Sequence, residues 1–265
     1  MGKWNMGGSV SSNWLKLAGA ACVAAGMVLA AAPARANVVF DFSSLNPNTA
    51  TCAHGSFSGD CVLNSNSVAY TNGGITVTAN SYAVSGNIVS SSGTYVSQRF
   101  GSLSTGETGL GVWSSGDTYT GSHLEIASNE YLLLNNSNAI SQGYTEASIS
   151  LGSIQSGEGG AIDIYGATSV GSTLDLTKLT LLKALQNPST GTAALQTYNF
   201  GLTNNNANYL VITADNTTAS AGNVLVGQET FAAPSSNLPV PEPMSLAVLA
   251  TGLVGLSVVR RRSRA

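Results

Sequence analysis

Four residues in one segment of the chain have side-chain oxygen atoms that could bind a metal ion. The segment supplies carboxylate and amide groups from Asp117, Glu125, Asn129 and Glu130. Hard oxygen ligands of this kind bind Ca²⁺ at about 2.3 to 2.6 Å, so the segment is a candidate calcium site. The alternative is that these residues solvate a β-hairpin and cap its turn, which requires no metal. No other cofactor is expected.

The same carboxylates could act as a general acid and base. Glu125 and Glu130 are five positions apart, which puts them on opposite faces of a continuous strand, so only a bend would bring them to glycosidase separation. The segment 55–59 resembles the Gly-x-Ser-x-Gly nucleophile elbow of serine hydrolases, but Phe57 occupies the position of the nucleophilic Ser. His54 and His123 lack local triad partners. We therefore expect no enzymatic activity, with a secreted glycoside hydrolase as an alternative.

Cys52 and Cys61 lie close together in the chain, with His54 between them. In an oxidising compartment such a pair predicts a disulfide. A loop this short would contribute about 2.5 to 3 kcal/mol in the chain-entropy description. Metal binding is the alternative, although two thiolates and one imidazole make an incomplete tetrahedral set.

Aromatic residues in the same region as the acidic segment suggest a ligand. They are Trp113, Tyr119, Tyr131 and Tyr144. Sugars stack on such rings in shallow sites, so a carbohydrate-binding, lectin-like module is a second alternative function. Core packing is the competing explanation, and the apolar Leu110 and Val112 before Trp113 favour its burial.

Short stretches that are rich in β-branched residues, or in which apolar and polar residues alternate, recur between clusters of Gly, Asn and Ser. This pattern is typical of a β-sheet protein. Strands are predicted at 38–42, 74–79, 88–90, 95–100, 109–113, 123–126, 131–134, 146–151, 161–165, 197–202, 209–213 and 223–226. About a dozen strands at such intervals predict a mainly β fold, an antiparallel β-sandwich of jelly-roll type. The leucine spacing at 174–185 predicts one helix, although Thr177 and Thr180 would also suit a strand.

The end of the chain combines a short motif, an apolar run at 244–259 and a basic tail. The flanking groups are Pro241, Glu242 and Pro243 on one side and Arg260, Arg261 and Arg262 on the other. A helix of this length would cover about 24 Å of a bilayer core of roughly 30 Å, so it could span only a thin or pinched bilayer. The arginines would hold that end in the cytoplasm, and the prolines would keep the motif extended outside.

This order of motif, single transmembrane helix and basic tail resembles the PEP-CTERM sorting signal of Gram-negative bacteria, over residues 238–265. The resemblance implies that an exosortase, a membrane-embedded enzyme similar to a cysteine protease, recognises the tail. It also implies that the tail is removed during export or attachment to surface material. An ordinary single-span anchor is the alternative, but it does not require a Pro-Glu-Pro motif.

The start of the chain predicts export through the general secretion machinery. Lys3 and Lys16 supply a positive region, and 17–32 supplies the apolar region of a signal helix. The predicted cleavage residues are Ala34, Ala36 and Asn37. The predicted organisation is a signal peptide at 1–36, an ectodomain at 37–231, a flexible stem at 232–239 and the sorting tail at 240–265.

Export would change the charge of the protein. The region between the two targeting segments contains three basic residues, Arg99, Lys178 and Lys183. It also contains six Asp and six Glu residues, so its net charge is −9. Such a surface repels nucleic acid and anionic lipid headgroups. We expect an exported cell-surface or extracellular-matrix protein, transiently anchored in the inner membrane and associated with exopolysaccharide or biofilm material.

Overall fold

β-Strands make up most of the chain that the structure describes. The computed structural model describes residues 35–55, 59–85, 88–101, 107–115, 117, 124–154, 159–165, 173–186, 194–200, 208–214 and 223–234. The strands are β1 (Val38–Asp41), β2 (Cys52–Gly55), β3 (Asp60–Leu63), β4 (Ser67–Asn72), β5 (Ile75–Ser85), β6 (Ile88–Ser90), β7 (Thr94–Arg99), β8 (Gly109–Ser114), β9 (Glu130–Asn135), β10 (Thr145–Ile154), β11 (Gly159–Tyr165), β12 (Thr173–Leu174), β13 (Leu179–Gln186), β14 (Ala194–Asn199), β15 (Tyr209–Ala214) and β16 (Leu225–Ala232). A short helix, α1 (Ser137–Ser141), and a 3-10 turn at Leu176–Lys178 lie between them.

The strands form two eight-stranded sheets. Sheet 1 has the order β14-β10-β16-β8-β7-β3-β2, with β1 paired to β16. Sheet 2 has the order β12-β6-β5-β9-β15-β11-β13, with β4 paired to β5. Every described strand pair is antiparallel. The prediction of a mainly β, antiparallel fold is confirmed.

One apolar core draws on both sheets. Val96 and Val112 from sheet 1 belong to the same buried cluster as Val77, Leu132 and Ile212 from sheet 2. The inward residues alternate with outward ones because successive side chains on a strand point to opposite faces. Each such buried side chain contributes about 1.5 to 3 kcal/mol relative to exposure. The region Ala36–Pro234 forms one compact unit.

The opposite face of sheet 2 has a smaller apolar cluster. Leu133 and Val211, which alternate with the inward residues of β9 and β15, pack there with Tyr82. Leu174 of β12 joins this cluster and is 5% exposed. The short strand β12 therefore helps to cover an outer face that the sheet would otherwise present to water.

Two sequence predictions of secondary structure are wrong. The segment 174–185 is not a helix: β13 pairs with β11 over most of it, and a helix there would leave β11 without that hydrogen-bonding partner. The segment 123–126 is not a strand in its described residues, where Ile126 forms only an isolated bridge to Val224. The sequence reading also missed β2, β3 and β4, together with α1.

The terminal targeting predictions lie almost entirely outside the described ranges. The predicted signal helix and the predicted transmembrane helix are not covered, nor is Ala34. Ala36 and Asn37 are described as coil, and Asn37 Oδ1 accepts a hydrogen bond of 3.0 Å from Ala233 N. Among the described helices, none has the length and apolar character needed to cross a bilayer.

Gly111 on β8 lies directly beneath the segment that carries Leu124. A Cβ atom at this position would stand 1.9 Å from Leu124 O and 2.9 Å from Ser97 Oγ. The same carbonyl accepts a 2.6 Å hydrogen bond from Ser97 Oγ, which holds the crossing segment against the sheet. Only glycine allows so close an approach of two backbones.

We expect Gly111→Ala to lower the free energy of unfolding by about 2 kcal/mol or more, because the added methyl group collides with backbone. Chemical denaturation of the folded unit measures this loss. Gly59→Ala is the matched control, since a Cβ atom at Gly59 meets nothing within 4 Å. Equal stability of the two variants would contradict the close approach at Gly111.

Candidate functional site

The predicted disulfide is present and braces one edge of sheet 1. Cys52 and Cys61 are bonded across β2 and β3, with their Cα atoms 5.4 Å apart. The edge strand β2 carries His54, which is exposed and lies opposite Val62 of β3. The thiols are therefore unavailable as metal ligands in the oxidised protein, and the crosslink fixes the strand that presents His54.

An aromatic group lies on the outer face of β7 and β8. Tyr95 and Trp113 are directly opposite each other in the ladder, with ring centroids 5.5 Å apart. His54 completes the group, with its ring centroid 6.0 Å from that of Trp113. The neighbours Val96 and Val112 are fully buried on the inner face, so strand alternation directs Tyr95 and Trp113 outward.

These rings line a cavity of about 410 Å³, to which Ala53, Val62, Asn64 and Ser115 also contribute. The volume lies within the range of about 300 to 1,000 Å³ that is usual for small-molecule sites. The Trp113 Nε1 atom is buried and has no hydrogen-bond acceptor among the described residues. Apolar ring faces combined with a few polar groups are suited to a ligand that has both hydroxyl groups and C–H faces.

The four aromatic residues proposed from the sequence do not form this site together. Trp113 lies in it, half-buried rather than in the core. Tyr131 packs against the outer cluster of sheet 2, and Tyr144 belongs to the core. Tyr119 lies outside the described residues. Sequence reasoning missed Tyr95 and His54, although the alternation of Tyr95 with Val96 was a usable signal for the former.

Asp117 and Glu130, two of the candidate calcium ligands, converge on Ser114 at the end of β8. Asp117 Oδ2 accepts a 2.8 Å hydrogen bond from Ser114 N, and Glu130 Oε1 accepts one of 2.5 Å from Ser114 Oγ. Glu130 Oε2 also accepts a 3.0 Å bond from Ala127 N. Burial raises the pKa of Glu130 to about 7. The described partners of both carboxyl groups are those expected of turn-capping residues.

Glu125 belongs to a different group, centred on Arg99. Glu125 Oε1 lies 2.6 Å from Arg99 Nη1 and accepts a 2.7 Å hydrogen bond from Ser153 Oγ. The same arginine forms two further ion pairs: Arg99 Nη1 lies 3.1 Å from Glu107 Oε2, and Arg99 Nε lies 3.3 Å from Asp60 Oδ1. Glu125 and Glu130 therefore have separate sets of described partners.

Asn129, the remaining candidate ligand, is exposed, and its backbone carbonyl accepts a 2.9 Å bond from Val84 N. Within the described ranges, no group of three His, Cys, Asp or Glu side chains has an arrangement that could hold a metal ion. Calcium binding by the segment from Asp117 to Glu130 stays a prediction.

The sorting residues Pro241, Glu242, Pro243 and Arg260 to Arg262 lie outside the described part of the chain.

A buried carboxyl pair lies in the core and was not predicted. Glu146 of β10 is 1% exposed and Glu229 of β16 is fully buried. Asn136 Nδ2 donates to both, at 3.2 Å to Glu146 Oε2 and 2.6 Å to Glu229 Oε1. Burial raises the pKa of both carboxyl groups, and the neighbouring charge of Glu229 raises that of Glu146 further. The pair therefore retains a proton where ordinary glutamates have lost theirs.

In comparisons with known proteins, no family model, curated protein or solved structure matches the chain. The fold and the site define a mainly β, antiparallel protein with a disulfide-braced aromatic cavity on one face of sheet 1.

We expect the free energy of unfolding to fall as the pH rises from about 4.5 to about 7. Unfolded glutamates lose their protons near the lower value, whereas buried Glu229 and Glu130 keep theirs until about pH 7, so deprotonation across this window favours unfolding. Glu229→Gln should reduce the slope and should be more stable than the wild type at pH 8. Denaturation series at several pH values measure both effects.

Repeating these series at high salt is the control, because salt screens exposed charges far more than buried ones. A slope that disappears at high salt, or that is unchanged in Glu229→Gln, would contradict a buried origin.

Proposed function

We propose that this is an exported surface or matrix protein whose β domain binds polysaccharide without chemically changing it. The observation that carries the proposal is the cavity formed by Trp113, Tyr95 and His54. Ring faces give a sugar an apolar surface for stacking, and adjacent amide and hydroxyl groups can satisfy its hydroxyls. Association with exopolysaccharide would then be a property of the folded domain.

The proposed fold is a jelly-roll-like β-sandwich. Two antiparallel sheets and a buried cluster with members from both support this arrangement. The cavity would lie on the solvent-facing side of one sheet, away from the shared core. A binding site on a sheet face can change its side chains without disturbing the packing that stabilises the fold.

The proposed route to the surface rests on the two ends of the sequence. The N-terminal segment would direct the chain to the secretion machinery and end before Asn37. The Pro241-Glu242-Pro243 motif, the apolar run and the arginines would make the tail an exosortase substrate. The Cys52–Cys61 disulfide is consistent with an oxidising destination.

We expect Trp113→Ala to weaken polysaccharide binding at least about tenfold, because truncating a central aromatic anchor removes much of its contact energy. Affinity electrophoresis of the folded domain in gels that contain glucan, mannan, galactan or alginate measures the loss. Trp113→Phe should retain part of the binding. Leu181→Ala is the control, because Leu181 is 60% exposed and lies on β13 of the other sheet.

Retention of full affinity in Trp113→Ala, or binding of none of these polymers by the wild type, would overturn the proposed binding function.

Processing gives a separate test of the proposed route. In the native host we expect intact mass to show loss of 1–36 and of the residues after the Pro-Glu-Pro motif. We expect Glu242→Ala to accumulate in the membrane fraction with its tail intact, because the motif would no longer be recognised. Detergent extraction and cell fractionation locate each form. An uncut C-terminus in both proteins would mean that the tail is a permanent anchor.

A further inference from the structure

A second cavity adjoins the aromatic one. It has a volume of about 290 Å³ and shares Asn64 and Tyr95 with the first cavity. The rest of its wall comes from two segments, 65–66 before β4 and 91–94 at the start of β7. The shared residues make the two cavities neighbouring parts of one surface.

Asn64 is held in a fixed orientation between the two cavities. Its backbone N donates to Thr51 O at 2.9 Å, and its Oδ1 accepts from Thr51 N at 3.0 Å. With Oδ1 occupied in this way, Nδ2 has no acceptor among the described residues. A fixed donor at the junction can bind a ligand oxygen with little further loss of side-chain freedom.

The second cavity has further polar groups that the described structure does not use. Asn66 Nδ2 donates to Ser91 O at 3.0 Å, which leaves Asn66 Oδ1 as an acceptor. The Ser92 backbone is held by a 3.1 Å bond to Ser90 Oγ. The hydroxyl groups of Ser91 and Ser92 themselves have no partner among the described residues. These groups are both donors and acceptors, as sugar hydroxyls require.

The described walls of both cavities have no permanently charged side chain, and His54 is their one titratable basic group. No Asp, Glu, Lys or Arg is among the described residues that line either cavity. A ligand carboxylate or sulfate would have to give up hydration here without gaining a lysine or arginine partner. The surroundings therefore favour an uncharged ligand over an acidic one.

We propose that the two cavities are successive subsites for a chain of uncharged sugar units, with one unit on the Trp113 and Tyr95 rings and the next bound by Asn64, Ser91 and Ser92. This inference rests on the proposed polysaccharide binding and adds the length and charge class of the ligand. A single sugar would fill the aromatic subsite alone. A longer chain would also gain the hydrogen bonds of the polar subsite.

Isothermal titration calorimetry of the folded domain tests this with single sugars and with short glucan, mannan and galactan fragments of increasing length. Affinity should rise about tenfold or more from the single sugar to fragments that fill both cavities, as expected for a few added neutral hydrogen bonds. The Ser91→Ala/Ser92→Ala double variant should lose most of this gain but bind the single sugar normally. Trp113→Ala should weaken both.

Ser44→Ala is the matched control, because Ser44 is an exposed serine on the turn after β1 that lines neither cavity. Thermal unfolding checks that each variant is folded.

Three results would overturn the inference. Equal affinity for single sugars and longer fragments, or an undiminished length dependence in the double serine variant, would remove the second subsite but leave polysaccharide binding intact. Binding to alginate fragments alone would contradict the uncharged ligand class. Failure of every saccharide to bind would remove the proposed function and this inference together.

Discussion

The two-residue period of β7 and β8 is the constraint on which both core and site depend. Burying Val96 and Val112 on the inner face requires Tyr95 and Trp113 to point outward, because neighbouring residues on a strand face opposite sides. A slip of one residue would place the large rings in the core and the valines in water. Gly111 helps to prevent that slip, since a shift of one residue would put Leu110 or Val112 beneath the crossing segment, where a Cβ atom collides with Leu124 O.

The interior also contains a feature that works against stability. Glu146, Glu229 and Asn136 place two carboxyl groups and an amide in the core, and Asn136 Oδ1 has no hydrogen-bond partner among the described residues. Two apolar residues of similar volume would avoid the cost of desolvating the carboxyl groups. A proton retained by the pair limits its buried charge, and loss of that proton would place two negative charges side by side in the core. The core is therefore better suited to mildly acidic surroundings than to alkaline ones.

The sequence predicted most strands because one-sided burial imposes a visible alternation. It failed at 174–185, where the leucine spacing fits a helix but pairing with β11 decides the outcome. The site was predictable only in part. The sequence indicated Trp113 as a candidate ligand-binding residue because other aromatic residues lie near it in the chain. His54 lies next to Trp113 only because β2, β3, β7 and β8 are consecutive in sheet 1. Strand order depends on contacts between distant segments, which local patterns do not encode.

The pairing of β1 with β16 has a mechanical consequence. Val38 lies opposite Phe231, so the first and last strands of the folded unit run side by side in opposite directions. β16 is also flanked by β10 and β8. A pull on Pro234 along the strand would have to shear backbone hydrogen bonds on both sides of β16 at once, instead of peeling one strand from an edge. The chain beyond Pro234 thus leaves the domain from a strand that is hydrogen-bonded on both sides.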